Sequence, residues 1–237
     1  MTGQGSDQML LSLIRPQKKD YNPKLNYCQT SKCQKYGNDF RARAAIYTVH
    51  MNKRKALLII DMQKGSFTDE TPRFDADGIV HRINILARQF RASAFPVIFV
   101  QHDGTSSGEF VKNTAEWELL EALSVEPTDI SIDKYANDVF YNSRLNSCLK
   151  DLNVNEVVIT GCATDFCVEA TVQSAISKDY TVVVVENGHT TGDRPHLKAG
   201  KIIEHYNWVW KNMIPPKGTV SVAKVGEVLK TLAVPNA

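Results

Sequence analysis

Residues 156–171 read EVVITGCATDFCVEAT. An apolar, β-branched run ends in Gly161, and a helical pattern follows from about Cys167 to Lys178. Strand followed by helix is the repeating unit of an α/β chain. Cys162 and Cys167 stand five positions apart in the join. They could be a metal clip, a redox pair, packed thiols, or a site with one nucleophile.

The same alternation continues in both directions. Short apolar runs occur at KALLIID (55–61), FPVIFVQ (95–101), DISID (129–133), YTVVVVE (180–186) and TVSVA (219–223). The longer ones are hydrophobic all round, as strands buried on both faces are. Between them lie helix faces: Ile79, Ile83, Leu86, Ala87 and Phe90 in one segment, then Leu145, Leu149 and Leu152. Trp117, Leu120 and Leu123 suggest a short helix, and another starts at about Pro195 with Leu197, Ile202, Tyr206, Trp210 and Met213. A last helix is expected around Val225–Leu232. Six strands alternating with helices predict an α/β fold: a three-layer αβα sandwich with a six-stranded, mostly parallel, open, Rossmann-like sheet. Ligands of such sheets bind beyond the carboxyl ends of the strands.

Composition narrows the partners. The chain of 237 residues is 43% hydrophobic and 23% charged, an ordinary globular balance. Its net charge of +2 divides unevenly: residues 1–54 carry +7 and the remainder −5. A mildly acidic body lacks the basic face that a nucleic-acid partner requires. Residues 1–52 show no sustained periodicity and are expected to form a weakly ordered basic extension, with a single folded domain over 53–237. Asp7, Asp20 and Asp39 weaken a transit-peptide reading of that extension, and Met51 is an alternative start. Cys28 and Cys33 form a lone C-x4-C without the second pair that a zinc site needs. Five cysteines with no secretory segment suggest reduced thiols and a cytoplasmic location. No apolar run approaches the roughly 20 residues of a membrane span, so no membrane partner is expected.

Three strands finish on reactive groups. KALLIID ends at Asp61, DISID runs into Lys134, and EVVITG is followed one turn later by Cys167. Each has a bland explanation: a turn carboxylate, a solvated lysine, a packed thiol. Together they bring a carboxylate, an ammonium and a thiol to one edge of the sheet.

The blocks IIDMQKGSF (59–67), IDKYANDVF (132–140) and ITGCATDFCVEAT (159–171) resemble the signatures of the isochorismatase-like cysteine hydrolases, a superfamily that includes nicotinamidases and N-carbamoylsarcosine amidases. The resemblance runs from about Lys55 to Leu232 and implies a Cys-Asp-Lys triad of Cys167, Asp61 and Lys134. It also implies a cis peptide between Cys162 and Ala163, an oxyanion hole formed by the N–H groups of Ala163 and Cys167, and a homodimer or homotetramer. A cysteine at a helix start beside a lysine is expected to favour the thiolate, which singles out Cys167 over Cys162. The implied chemistry is hydrolysis of a small amide or carbamoyl C–N bond through a thioester. Vinyl-ether hydrolysis, nicotinamidase activity and an inactive scaffold are the alternatives.

The metal ligands of nicotinamidases are an Asp-x-His after the second strand and a further histidine. This chain has His102 before Asp103, and the next histidine is His189. No metal and no other cofactor are therefore expected. His102 is either a hydrogen-bonding pocket wall or a simple loop residue. Phe67, Trp117, Phe140 and Phe166 flank the blocks as candidates for an apolar substrate slot, with the core as the competing location for each. A nucleotide-binding flavodoxin-like fold would need a glycine-rich loop after the first strand, and DMQKGSFTDE offers one glycine.

Overall fold

The computed structural model describes residues 54–232. The expected basic extension, Met51, Cys28 and Cys33 lie outside the described residues.

Six strands form one sheet: β1 (Lys55–Ile60), β2 (Val97–His102), β3 (Ile130–Lys134), β4 (Glu156–Cys162), β5 (Thr181–Thr190) and β6 (Val220–Ala223). Their order is β3-β2-β1-β4-β5-β6, and all five pairings are parallel. The helices are α1 (Ala76–Ala92), α2 (Leu145–Asp151), α3 (Glu169–Ser177), α4 (Ala199–Lys211) and α5 (Val225–Lys230). Side chains of α1 and α5 pack on one face of the sheet, with Ile83, Leu86, Phe90 and Val228 in the core. Those of α2, α3 and α4 pack on the other, through Leu145, Leu149, Val172, Ile176 and Trp210. This is the three-layer fold that the alternating pattern predicts. No helix among the described residues is long and apolar enough to cross a membrane.

Central strands are apolar on both faces because both faces are covered. Residues 56–60 are all fully buried. At about 25 cal/mol per Å² of apolar surface, such runs supply much of the force holding the layers together. The chain steps from β1 outward to β3, then returns to lay β4 against the free side of β1. The crevice between the carboxyl ends of β1 and β4 is therefore the switch point where α/β sheets place ligands. Close approach there depends on Gly161, which has φ +125° and pairs with Ile60. A Cβ on it would lie 2.1 Å from the Ile60 carbonyl oxygen.

Several local expectations are corrected. Trp117, Leu120 and Leu123 do not form a helix. Their segment is a strap of turns lying antiparallel to residues 62–66, joined by a Gln63–Leu119 bridge and by Leu120 N–H to the Met62 carbonyl. Spacing of i, i+3, i+6 over two turns serves a strap anchored by its apolar residues as well as it serves a helix. The α4 helix starts at Ala199, not at Pro195, because Asp193 Oδ1 accepts the Ala199 N–H at 2.9 Å and an Arg194–Leu197 turn precedes it. β5 continues past Glu186 to Thr190 through a bulge, so that Gly161 pairs with His189 and Cys162 with Thr190.

Candidate active site

Asp61, Lys134 and Cys167 meet at the carboxyl end of the sheet. Asp61 follows β1 with φ 49°, a left-handed conformation that aspartate tolerates, and its amide donates to the Val100 carbonyl. Lys134 ends β3 opposite His102. Its ammonium is fully buried and donates to Asp61 Oδ2 at 2.8 Å, to Cys167 Sγ at 3.3 Å and to the Ala136 carbonyl at 2.9 Å. Burial works against this charge, but Asp61 and Cys167 outweigh it and hold the lysine pKa above its ordinary value. The sulfur also lies 3.6 Å from Asn137 Oδ1, a neighbour that the sequence did not flag.

Cys167 does not open a regular helix. It is the fourth residue of a π-turn, Thr164–Val168, that leads into α3. π-turns are rare and concentrate at functional sites. The Ala163 carbonyl accepts the amides of Phe166 and Val168, and the Cys162–Ala163 peptide is cis. The thiol pKa is pushed well up, first by burial and then by the Asp61 carboxylate, with Lys134 pulling the other way. The expectation of a favoured resting thiolate is therefore corrected: dehydration of the sulfur outweighs the lysine. Cys162 is buried beneath, raised to about 12 by burial. The cysteines at 148, 162 and 167 are all free.

The turn is braced from below by His189, which is buried at the end of β5. Asn207 Nδ2 donates to the Glu186 carbonyl, so its Oδ1 faces His189 Nε2 at 3.1 Å and assigns the proton to that nitrogen. His189 Nδ1 is then the acceptor for the Thr164 hydroxyl at 2.9 Å. Burial lowers the histidine pKa to about 4, which keeps the ring neutral. The side of the ring network is closed by Trp210, whose ring meets His189 edge-on at 5.1 Å and whose Nε1 donates to Glu169. Nothing in the sequence pattern marked His189 for this role except its place after an apolar run.

The slot candidates separate. Phe140 is 7% exposed and stacks on Tyr180 within the core, so it offers little surface to a ligand and is withdrawn from the slot. Phe166 is 49% exposed on the Thr164–Val168 turn, with the Arg194 guanidinium 5.0 Å above its ring. Phe67 is half-buried against the α1 side of the core. Trp117 lies on the strap, where its carbonyl accepts from Gln63 and Gln101. His102 is held through its backbone by Gln63, whose Oε1 takes the His102 N–H and whose Nε2 donates to the His102 carbonyl. Burial and the Lys134 charge lower the His102 pKa against the pull of Asp61. Asp61 Oδ1, His102 Nδ1 and Trp117 Nε1 are buried without a hydrogen-bond partner among the described residues. Among the described residues, no three His, Cys, Asp or Glu side chains gather as a metal site would require.

Comparison with known proteins places this geometry in context. Residues 55–210 match the family model of the isochorismatase domain. A streptothricin hydrolase of Streptomyces noursei is 28% identical over 141 residues, which is 60% of this chain and 56% of that protein. The ureidoacrylate amidohydrolase RutB of Methylorubrum extorquens is 33% identical over 101 residues, 41% of each chain. This chain thus spans about half the length of these two relatives. A crystal structure of an isochorismatase family protein superposes with a TM-score of 0.66 at 31% identity, covering 72% of this chain and 99% of the other.

Proposed function

Because the chain belongs to the isochorismatase family, we propose that it hydrolyses a C–N bond of a small amide or carbamoyl compound, with Cys167 as nucleophile. The observation that carries this reading is the buried Lys134 ammonium in contact with both the Asp61 carboxylate and the Cys167 sulfur. Burying a cation and an anion together is costly and adds little to stability on its own. Such a pair set against a thiol is a catalytic arrangement before it is a structural one. The amidohydrolase named among the relatives supports amide chemistry over vinyl-ether cleavage.

In the resting site the sulfur keeps its proton. Asp61 accepts that proton as Sγ bonds to the carbonyl carbon, so the nucleophile is generated when substrate arrives. Lys134 offsets the negative charge shared between sulfur and carboxylate. The carbonyl electron pair moves to oxygen, where the N–H groups of Ala163 and Cys167 receive it at roughly 3 kcal/mol per donor. Collapse breaks the C–N bond, and Asp61 returns its proton to the leaving nitrogen. Water, deprotonated by Asp61, then attacks the thioester or thiocarbamate and releases Cys167 as a thiol.

An ammonia-release screen across primary amides and ureido compounds tests the reading, with Cys167→Ala and Asp61→Asn as controls. Turnover of at least one compound is expected, abolished in Cys167→Ala and lowered by roughly 10²–10⁴ in Asp61→Asn. Ammonia release that survives Cys167→Ala would refute it.

A further inference from the structure

The end of β5 carries a row of polar side chains that the reaction scheme does not use. His189, Thr190 and Thr191 are all buried. Two of them grip successive residues of the turn that carries Cys167. His189 Nδ1 accepts the Thr164 hydroxyl at 2.9 Å, and Thr191 Oγ1 donates to Asp165 Oδ1 at 2.6 Å. Behind His189 stands Asn207 of α4, also buried, with its Oδ1 3.1 Å from His189 Nε2.

A bulge in β5 is what brings the histidine to this place. The register up to Ile159 would set Glu186 opposite Gly161, but it shifts there and His189 takes that position. Asn207 Nδ2 donates to the Glu186 carbonyl inside the bulge at 3.0 Å, so one side-chain amide holds both the bulge and the ring. Bulges of this kind re-aim side chains beside active sites. Stability alone does not call for the trio of Thr164, His189 and Asn207. Polar groups buried against one another contribute little beyond an apolar set of the same shape, and their surroundings are apolar, with Val168 and Trp210 fully buried. What hydrogen bonds add over apolar packing is direction. Thr164 opens the turn, with Ala163 just before it and Cys167 three residues on. Its orientation therefore governs where the N–H groups of both those residues aim.

We propose that His189 is a positioning residue: held by Asn207, it locks Thr164 so that the Ala163 and Cys167 N–H groups converge on the oxygen of the tetrahedral intermediate. This rests on the reading of Cys167 as nucleophile. The oxyanion exists only once Sγ has bonded to a carbonyl carbon, so the lock acts on acyl transfer and not on the reactivity of the sulfur itself.

Two reactions of the same thiol separate these effects, each run on the full chain at pH 7.5 with the rate of Cys167→Ala subtracted. With p-nitrophenyl acetate the S–C bond forms, the carbonyl electron pair moves to oxygen, and it returns as p-nitrophenolate leaves. With iodoacetamide the S–C bond forms as iodide leaves, and no oxyanion arises. Thr164→Val keeps the shape and loses the hydroxyl; it should lower acylation roughly 10–100-fold and change alkylation by less than about twofold. Thr164→Ser should recover most of the lost rate. His189→Asn can place an amide oxygen where Nδ1 stands, and should retain more acylation than His189→Gln, whose amide reaches past Thr164 toward Asn207. Urea unfolding shows which variants are folded at the assay temperature, and the paired histidine variants carry the comparison should Thr164→Val not fold. Acylation and alkylation falling by the same factor, or no rescue by Thr164→Ser, overturns the proposal. Acylation that needs Cys167 but not the Thr164 hydroxyl overturns it alone, whereas acylation that survives Cys167→Ala overturns the nucleophile reading as well. Neither probe depends on which amide the protein hydrolyses, so a failed ammonia screen and a failed lock are separate results.

Discussion

His189→Asn should make the fold less sensitive to acid while weakening it at neutral pH. In the native fold the ring is buried with a pKa near 4, against about 6.5 for an exposed histidine. Between those values the unfolded chain holds a proton that the folded chain does not. Folding stability must therefore fall as pH drops through about 6.5 and level off below about 4. Each pH unit in the window is about 1.4 kcal/mol, so about 3 kcal/mol is lost across it. The cause is geometric: a protonated ring would turn Nδ1 from acceptor into donor toward Thr164, and among the described residues no carboxylate hydrogen-bonds to either ring nitrogen. Urea unfolding of the native protein and His189→Asn at pH 7.5, 6.5, 5.5 and 4.5 measures the effect, since the other titrating groups cancel in the difference. The variant should start lower, by roughly 1–3 kcal/mol for the disrupted buried hydrogen bonds. The gap should then narrow by roughly 2–3 kcal/mol by pH 4.5. Parallel stability curves over that range would refute the neutral, buried histidine.

Asp61→Asn should move two observables in opposite directions. Amide turnover should fall by roughly 10²–10⁴ with loss of the general base, while the pH midpoint for iodoacetamide labelling of Cys167 should drop, because a charge that raises the thiol pKa is gone. A raised midpoint would contradict the electrostatics. Lys134→Met keeps most of the stem but strands a buried carboxylate, at a cost of about 3–5 kcal/mol; a melting temperature within a degree of the native value would show that the pair is not coupled as described. Gly161→Ala places a methyl 2.1 Å from a backbone oxygen at φ +125°, and should cost several kcal/mol or abolish soluble expression. Native-like urea unfolding of that variant would deny the close contact of β1 and β4.

The sheet was legible because strands buried on both faces cannot alternate: residues 56–60 and 157–161 are continuous apolar or small runs, and their ends deliver Asp61 and the turn that carries Cys167. What the sequence hid is what depends on partners far along the chain. Thr190 and Thr191 are polar yet fully buried, and a strand read from hydropathy stops before them. They remain inside because Thr190 bonds to the Phe74 carbonyl and Thr191 to Asp165. Phe140 was a fair slot candidate by position, but Tyr180, forty residues on, claims its ring.

The thiol is the sharpest case. Local rules, a helix start and a lysine nearby, favour a thiolate, and the lysine does pull in that direction. The sign is reversed because Asp61 arrives at the same place and both lie in a site largely closed to water. A carboxylate that disfavours the thiolate is also the group able to receive its proton. On the proposed mechanism, the feature that disfavours the Cys167 thiolate at rest is thus the one that permits a coupled proton transfer when a carbonyl carbon comes within reach.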